Sequence, residues 1–175
     1  MVGADLLGKV LMVGHGDGAV SGRITETEAY TSDDAASHSF NGRTARNAVM
    51  FGRPGHLYVY LSYGIHRCAN VVTGTDGDGQ AVLIRSVDPL SGLYEIRRRR
   101  AGRNDGELTN GPGKLCAGLG IDLADSGIDL ADPASSVRIM DDGTPAPDEP
   151  IVGPRIGITK SVDTPWRFRA PPRQL

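Results

Sequence analysis

Two tyrosine-bearing stretches with the alternation of β-strands constrain this chain most. The first is Glu26–Tyr30 (ETEAY) and the second is Tyr58–Gly64 (YVYLSYG). Alternate residues of a strand share a face, so both glutamates and the tyrosine of the first stretch point one way, and Tyr58 and Tyr60 share a face of the second. Four of the five tyrosines lie in these stretches. Rings that can sandwich a flat ligand, beside a carboxylate that can activate water, predict chemistry on a nucleic-acid base.

The size of the chain fits one domain. With 175 residues, of which 39% are hydrophobic and 23% charged, it can bury a core in the manner of an ordinary globular protein. No apolar run approaches the roughly 18 residues of a membrane span, and Met1–Val13 lacks the features of a signal peptide. Cys68 and Cys116 form no CxxC pair, which predicts buried thiols in a reducing cytoplasm. We therefore expect one cytoplasmic domain over residues 1–175, without membrane association and with a frayed tail at 170–175.

Charge is unevenly distributed, although the net charge is only −2. Arginines cluster at Arg97–Arg100 and at Arg103, and Lys114 follows, whereas Ile121–Pro150 carries eight acidic residues and one arginine. This asymmetry fits a protein with one face for a polyanion. A solvated arginine helix is the alternative interpretation of the basic cluster.

Several short motifs suggest a cofactor but lack the rest of their pattern. Gly14, Gly16 and Ala19 imitate a dinucleotide fingerprint, yet a strand pattern follows where a helix is required. Gly113-Lys114 lacks the upstream glycine and the Ser or Thr of a Walker loop. The four histidines show no metal-ligand spacing. The sequence therefore predicts neither a metal nor a cofactor.

The secondary-structure pattern predicts strands joined by hairpins, with a few short helices. Strands are predicted at Leu6–Val13, Ala19–Tyr30, Leu57–Tyr63, His66–Thr73, Gln80–Val87, Val137–Met140 and Arg155–Thr159. Ser91 is the predicted N-cap of an arginine-bearing helix that Gly102 ends, and Gly111–Leu115 has the pattern of a second helix start. The small, polar segment Thr31–Asn47 is predicted to be a loop that covers a site. Together these features indicate an α+β domain.

Separated motifs follow one another along nearly the whole chain. They are Asp5–Leu11, Glu26–Tyr30, Ser37–Ser39, Arg43–Asn47, Pro54–Asn70, Gly77–Arg85, Asn110–Cys116, Arg155–Gly157 and Pro165–Phe168. In this order they resemble the alkyladenine (3-methyladenine) DNA glycosylase family. The resemblance implies a single α+β domain with a curved, largely antiparallel β-sheet and flanking short helices, similar to the C-terminal domain of formyltransferases. It also implies that damaged purines are flipped out of DNA and their N-glycosidic bond hydrolysed without a metal.

The resemblance assigns the two catalytic roles. Glu28 matches the general base, which takes the proton of water and stabilises the positive charge that develops on the sugar. Arg85 matches the arginine next to the catalytic water and the target phosphate, and its charge stabilises the Glu28 carboxylate. On the residues alone, Glu26 is a rival for the role of base.

The resemblance also implies a base pocket and a DNA-binding surface. Tyr30, His38 and Tyr60 match the residues that stack on the flipped base, and Asn70 matches a pocket asparagine that disfavours the amino group of guanine. Tyr63 matches the side chain that fills the gap left in the duplex, as a flat wedge inserted through the minor groove. Contacts with the DNA backbone are predicted for a further set of residues: Arg43, Arg46, Gly113 and Lys114.

The predicted function is that of a monofunctional glycosylase that acts as a monomer on damaged purines in double-stranded DNA. A lyase step needs an amine nucleophile, and none of the three lysines, Lys9, Lys114 and Lys160, belongs to the Glu28 group. Two alternatives remain. One is a nucleoside- or RNA-directed N-ribohydrolase that uses the same acid, and the other is a non-catalytic nucleic-acid-binding module of the same fold.

Overall fold

An eight-stranded antiparallel sheet forms the body of the protein, and the computed structural model describes residues 1–172. The elements are α1 (Val2–Asp5), β1 (Val10–Val13), β2 (Val20–Tyr30), β3 (Leu57–Ser62), β4 (His66–Val72), β5 (Ala81–Ser91), α2 (Leu93–Arg99), α3 (Pro112–Leu119), β6 (Val137–Met140), β7 (Ile151–Gly153) and β8 (Arg167–Arg169). The predicted α+β class is confirmed, as is the single curled, antiparallel sheet with few short helices.

The sheet is organised around β2. Its strand order is β3-β4-β5-β2-β1-β6, and β5 pairs with β2 along most of its length. On the other edge of β2, the first half pairs with β1 and residues Glu26–Glu28 pair with β8, which in turn pairs with β7. The ETEAY stretch is therefore held between two neighbouring strands in the middle of the sheet.

Side-chain alternation separates a core face of the sheet from a polar face. On β5, Val82 and Ile84 belong to the main hydrophobic core, whereas Leu83 and Arg85 line a cavity on the opposite face. The core face is covered by α2 and α3, whose residues Ile96, Leu115 and Leu119 are fully buried. Each such side chain contributes about 1.5–3 kcal/mol by its burial. The period-2 pattern read from the sequence thus gives the two faces correctly.

Several of the predicted elements and boundaries are wrong, among them the end of β5, which lies at Ser91 instead of Val87, and the end of α2, which lies at Arg99 before the predicted Gly102. The first strand starts at Val10 instead of Leu6, because α1 and a turn with a positive φ of 85° at Gly8 precede it. Residues 155–159 form no strand, since the Arg155 side chain bonds to Asp34 and the Ile156 N–H bonds to the Glu28 carboxylate. Gly92, not Ser91, caps α2, and it has a φ of 68° in the left-handed region that favours glycine.

The C-terminal segment after β8 contacts β2, where the Ala170 N–H donates to the Thr25 carbonyl at 2.9 Å. The frayed tail at 170–175 stays a prediction. Residues 173–175 of that tail lie outside the described residues. Within residues 1–172, no helix combines the length and the apolarity needed to cross a membrane.

Candidate active site

Two rows of side chains on the polar face of the sheet build the site. The sheet register places Tyr58 opposite Asn70, Asn70 opposite Leu83, and Leu83 opposite Glu28. Directly opposed residues of antiparallel strands project to the same face, so these four form one row from β3 to β2. The neighbouring row, displaced by two residues along each strand, contains Tyr60, Cys68, Arg85 and Glu26.

The register is interrupted at Arg85. Its two neighbours on β5 pair with Glu26 and Thr27, so Arg85 itself has no opposite residue on β2. Such an irregularity bends a strand and redirects its side chain. The Arg85 guanidinium donates through Nε to Glu26 Oε1 at 2.8 Å and through Nη1 to Glu28 Oε2 at 3.2 Å. One cation thus bridges the two glutamates of the ETEAY stretch.

Glu28 is a fully buried carboxylate with several hydrogen-bond donors around it. Its Oε1 accepts the Ile156 backbone N–H at 2.7 Å, and its Oε2 accepts the Tyr30 hydroxyl at 2.9 Å and Arg85 Nη1 at 3.2 Å. These bonds compensate for burying a charge. Two carboxylate oxygens offer about four acceptor positions. Three are occupied, so one acceptor position of Oε1 has no donor among the described residues.

Glu26, the rival for the role of base, has a different environment. Its Oε1 accepts hydrogen bonds from Arg85 Nε at 2.8 Å and from Arg167 Nε at 2.6 Å. The negative charge of Glu26 is therefore shared between two guanidinium groups. Both bonds fall on Oε1, so a count of acceptor positions does not separate the two glutamates. Glu28 is favoured as the base because two of its donors, Tyr30 and Ile156, line the cavity.

The predicted base-binding residues meet in one cavity of about 410 Å³. Tyr30, His38, Tyr60 and Asn70 all line it, together with Arg85, and the Glu28 carboxylate lies directly behind Tyr30 and Arg85. The volume falls within the range of about 300–1,000 Å³ that is typical of ligand sites. Residues from β2, β3, β4 and β5 and from loop 31–47 are thus brought together here.

The rings of the cavity support one another. The His38 and Tyr60 centroids lie 4.4 Å apart in an edge-on arrangement, and Tyr58 stacks on Tyr60 at 5.6 Å. Tyr58 is only 1% exposed, and its hydroxyl lies 3.2 Å from His38 Nδ1. The sequence predicts that Tyr58 and Tyr60 share a face, but it gives no separate role to Tyr58, which holds the other two rings in place.

Burial keeps the tyrosine and histidine side chains of the cavity uncharged. It raises the pKa of Tyr58 to about 12 and also raises the pKa of Tyr60 and of Tyr30, the latter with a contribution from the nearby Glu28 carboxylate. Burial, with the nearby positive charge of Arg46, lowers the pKa of His38 below its ordinary value. Tyr58 is therefore a neutral phenol that can donate to His38 Nδ1, an arrangement in which the imidazole proton lies on Nε2.

We expect His38 to be neutral at pH 7 with its proton on Nε2, and ¹⁵N NMR of the imidazole nitrogens measures this directly. The unfolded chain binds the His38 proton first as the pH falls through about 6.5, so His38 lowers the stability of the fold below that pH. In Tyr58→Phe, we expect a mixture of tautomers. An Nδ1-protonated imidazole in the unchanged protein would contradict the assignment.

Asn70 is fixed by its side-chain amide. Its Nδ2 donates to the carbonyls of Tyr58 at 3.0 Å and of Cys68 at 3.3 Å, and the residue is only 4% exposed. Both amide protons are used in this orientation. The amide oxygen is therefore the polar atom of Asn70 that remains for a ligand.

Tyr63 lies at the tip of the β3–β4 hairpin and projects into solvent. It is 87% exposed, and the Ile65 N–H closes the turn on the Ser62 carbonyl at 3.2 Å. Tyr63 and Gly64 have φ values of 51° and 72°, so both lie in the left-handed region of backbone conformation. The left-handed conformation costs a non-glycine residue about 1–2 kcal/mol. An exposed aromatic side chain is thus kept at a strained position, at the edge of the cavity.

The predicted DNA-backbone residues lie around the mouth of the cavity and in a second cleft beside it. Arg46 lines the cavity, with its guanidinium 5.8 Å from the Tyr60 ring centroid, and donates to the Leu61 carbonyl at 3.0 Å. Arg43 is exposed on loop 31–47. The second cleft, of about 690 Å³, contains Gly113 and Lys114 at the start of α3.

The second cleft adjoins the Tyr63 hairpin. Tyr63 itself lines both the cavity and the cleft, and Arg100 and Arg103 add positive charge to the latter. Lys114 Nζ donates to Asn110 at 2.8 Å. Gly113 lies against His66, whose Cβ would be 3.0 Å from any added Cβ, so the start of α3 and the hairpin are in close contact.

Most of the arginine cluster on α2 is paired within the protein. Arg97 forms a bidentate bond to Asp105, and Arg98 and Arg99 both bond to Glu95. Arg99 also donates to the last carbonyls of α3. These pairs favour the solvated-helix interpretation for the three residues.

One contributor to the site could not be found from side-chain patterns. Ile156 acts on Glu28 through its backbone N–H, and a backbone donor carries no residue-specific signal. Arg155-Ile156-Gly157 is among the motifs of the resemblance, but it is predicted there as strand and without a role.

Comparison with known proteins places this chain in a family. The methylpurine-DNA glycosylase (MPG) family matches residues 1–174. A protein of Nitrosospira multiformis named "Putative 3-methyladenine DNA glycosylase" is 47% identical over 167 residues, which are 95% of this chain and 82% of that protein. Proteins with the same name are 48% identical in Granulibacter bethesdensis (95% and 77% covered) and 45% identical in Burkholderia lata (97% and 82% covered).

The fold, the site and these similarities define a DNA glycosylase, a hydrolase that acts on the N-glycosidic bond. The chain belongs to the methylpurine-DNA glycosylase family. The resemblance read from its motifs is thereby confirmed.

Proposed function

We propose that this protein removes alkylated purines such as 3-methyladenine from double-stranded DNA by base flipping and hydrolysis with water activated by Glu28. The observation that carries the proposal is the buried Glu28 carboxylate, which has one free acceptor position beside a cavity lined by three rings. Etheno and deaminated purines are further candidate substrates, because they are also flat and pair poorly.

Stacking supplies the affinity for the flipped base. Tyr30, His38 and Tyr60 line the cavity, and stacking on aromatic residues contributes about 1–3 kcal/mol per base. This offsets the few kcal/mol needed to unstack a nucleotide, a cost that is lower for damaged bases. A cationic alkylated purine should stack particularly well on neutral phenol rings. A hydrogen bond to the Tyr58 carbonyl fixes the Asn70 side chain, so it cannot move aside, and it would exclude the extra amino group of guanine by steric contact.

The proposed hydrolysis is a single displacement at C1′. Glu28 accepts a proton from the water, the water oxygen forms a bond to C1′, and the electrons of the glycosidic bond leave with the purine. The carboxylate also stabilises the oxocarbenium-like sugar, while Arg85 orients Glu28 and faces the target phosphate. The product is an abasic site.

No lyase step is proposed. Lys9 pairs with Asp141 and Lys114 with Asn110, and within residues 1–172 no lysine lines the cavity. A Schiff base with the abasic sugar therefore lacks its nucleophile.

The duplex is held by the surface around the cavity. Tyr63 would fill the gap left by the flipped nucleotide, as a rigid wedge of the kind used in the minor groove. Arg43, Arg46 and the free amides at Gly113 and Lys114 are the proposed contacts to phosphate groups, together with Arg100 and Arg103 in the second cleft. We propose that one copy of the chain is sufficient for this.

The test is a purified-protein incubation with duplex DNA that carries one hypoxanthine or ethenoadenine, followed by hot alkali. A strand break that appears only after alkali supports a monofunctional glycosylase. A break without alkali would indicate a lyase step. Base release from free nucleosides alone would favour a nucleoside hydrolase, and salt-dependent binding without release would favour a binding module.

A further inference from the structure

Behind the Glu28 carboxylate lies a buried ion pair that the hydrolysis does not use. The Arg155 guanidinium donates through Nη1 to the Asp34 carboxylate, and their side chains are only 0% and 1% exposed. The same nitrogen donates to the Ala29 carbonyl at 2.8 Å. Buried ion pairs rarely add net stability, because removing two charges from water offsets their attraction. Stability is therefore a weak reason for this pair to be here.

The pair joins two loops that wall the cavity. Asp34 belongs to loop 31–47, which contributes Ala36 and His38 to the cavity, and its other oxygen accepts the Ala36 N–H at 3.0 Å. Arg155 begins the segment whose next three residues line the cavity. Burial opposes the charge of Asp34, but hydrogen bonds from Arg155 and the Ala36 N–H hold the pKa of Asp34 below its ordinary value.

Arg155 also packs against two rings and is adjacent to a donor of Glu28. Its guanidinium carbon lies 4.6 Å from the Tyr30 ring centroid and 5.3 Å from that of Trp166. Tyr30 donates its hydroxyl to Glu28 Oε2, and Ile156 donates its N–H to Oε1. Two of the three groups that orient the carboxylate thus depend on where Arg155 is fixed.

We propose that Arg155 and Asp34 are positioning residues, which together direct the free acceptor of Glu28 Oε1 towards the catalytic water. This pair is called the Arg155–Asp34 clamp below. The inference rests on the proposed function, since it concerns the same carboxylate. With the clamp in place, the Ile156 N–H is fixed on Oε1, so the one remaining acceptor position of that oxygen has a defined direction. Without it, the loop that carries this N–H is free to shift, and a 1 Å displacement of a reacting group can cost about 10²-fold in rate.

The test variant is Arg155→Met combined with Asp34→Asn. It removes both charges together, so no unpaired charge stays buried, and the asparagine oxygen can still accept the Ala36 N–H. Methionine retains contact with the Tyr30 and Trp166 rings. We expect single-turnover excision of ethenoadenine from duplex DNA to fall about 10–100-fold. The melting temperature and binding to a duplex whose lesion nucleotide carries a cleavage-resistant 2′-fluorine should change little.

The chain offers a control of the same two residue types in Arg23 and Asp142, a pair that is more exposed than the clamp. Arg23 donates to Asp142 at 2.8 and 3.1 Å and also to the Gly8 carbonyl at 2.7 Å, as Arg155 does to Asp34 and Ala29. This pair lies away from the cavity. The variant Arg23→Met with Asp142→Asn should excise at the unchanged rate. An equal loss in this control would assign the effect to general disturbance and overturn the inference.

The Glu28→Gln background separates positioning from structure. If the clamp acts through Glu28, replacing the clamp in the Glu28→Gln protein causes no further loss of excision. Additive losses of excision in that protein overturn the inference. If the clamp variant excises at the normal rate while Glu28→Gln is inactive, the inference about the clamp is overturned and the proposed function stands. A normal rate in Glu28→Gln overturns the proposed function itself. If the double variant does not fold, Arg155→Lys keeps the charge but loses the planar fork, and the same loss of rate with unchanged binding is expected.

Discussion

Replacement of Glu28 by glutamine is expected to lower the single-turnover excision rate by about 10²–10⁴-fold, because an amide neither accepts the proton of water nor stabilises a cationic sugar. Binding of the lesion-containing duplex should be retained, since the rings of the cavity are unchanged. Rates are measured with enzyme in excess over an ethenoadenine duplex, and binding with the 2′-fluorinated duplex. An unchanged excision rate would remove Glu28 from the role of base.

Two controls make the Glu28→Gln result specific. Three donors converge on the two Glu28 oxygens, so an amide nitrogen leaves one donor unpaired at a cost of about 1–3 kcal/mol. A melting curve shows whether the fold tolerates this. Glu26→Gln changes the same residue type two positions earlier, where the carboxylate bonds to Arg85 and Arg167. We expect a smaller loss there; a loss equal to that of Glu28→Gln would leave the two glutamates undistinguished.

The second large effect is expected for Tyr63→Ala. Without the ring, nothing fills the gap in the duplex, so the flipped nucleotide returns to the stack more readily. Excision from double-stranded DNA should fall by about tenfold or more, in line with the roughly 1–3 kcal/mol of one base–aromatic contact. Excision from single strands, which have no stack to reform, should fall less. Equal losses on both substrates would exclude the wedge role.

Two variants, Tyr94→Ala and Tyr63→Gly, are the controls for the wedge role of Tyr63. Tyr94 is a comparably exposed tyrosine on α2, 81% against 87% for Tyr63, and Tyr94→Ala should leave the ratio of the two rates unchanged. Tyr63→Gly relieves the left-handed backbone strain at φ 51°, so it should not destabilise the fold, yet it should lose duplex excision as alanine does. A Tyr63→Gly variant that is more stable but excises less from the duplex would identify Tyr63 as a functional residue.

Sequence periodicity was sufficient to place the main side chains. Glu26, Glu28 and Tyr30 were expected on one face, and Arg85 bridges both glutamates there while Tyr30 donates to Glu28. Tyr60 likewise reaches the same cavity as Tyr30. This worked because a strand fixes the direction of each side chain by residue parity alone, without information about the rest of the fold.

Residue parity did not predict the contacts of charged groups on the surface. The arginines of α2 suggested a face for a polyanion, but Arg97, Arg98 and Arg99 bond to Asp105 and Glu95. Whether a cation is free depends on which acids the fold places next to it. The predicted strand at residues 155–159 failed for a related reason, since Arg155 is held by Asp34, which lies 121 positions earlier in the chain.

By itself, the sequence determined the α+β class through local alternation and the family through the order of its motifs. The resemblance to that family then named the residues that line the cavity. Only the tertiary structure decided how Glu28 is prepared for its proposed role. The interruption at Arg85, the Ile156 N–H on Oε1 and the buried Arg155–Asp34 clamp each join segments distant along the chain. Backbone donors and long-range ion pairs depend on the distance between atoms in the folded chain, and a local pattern of residues does not contain that distance.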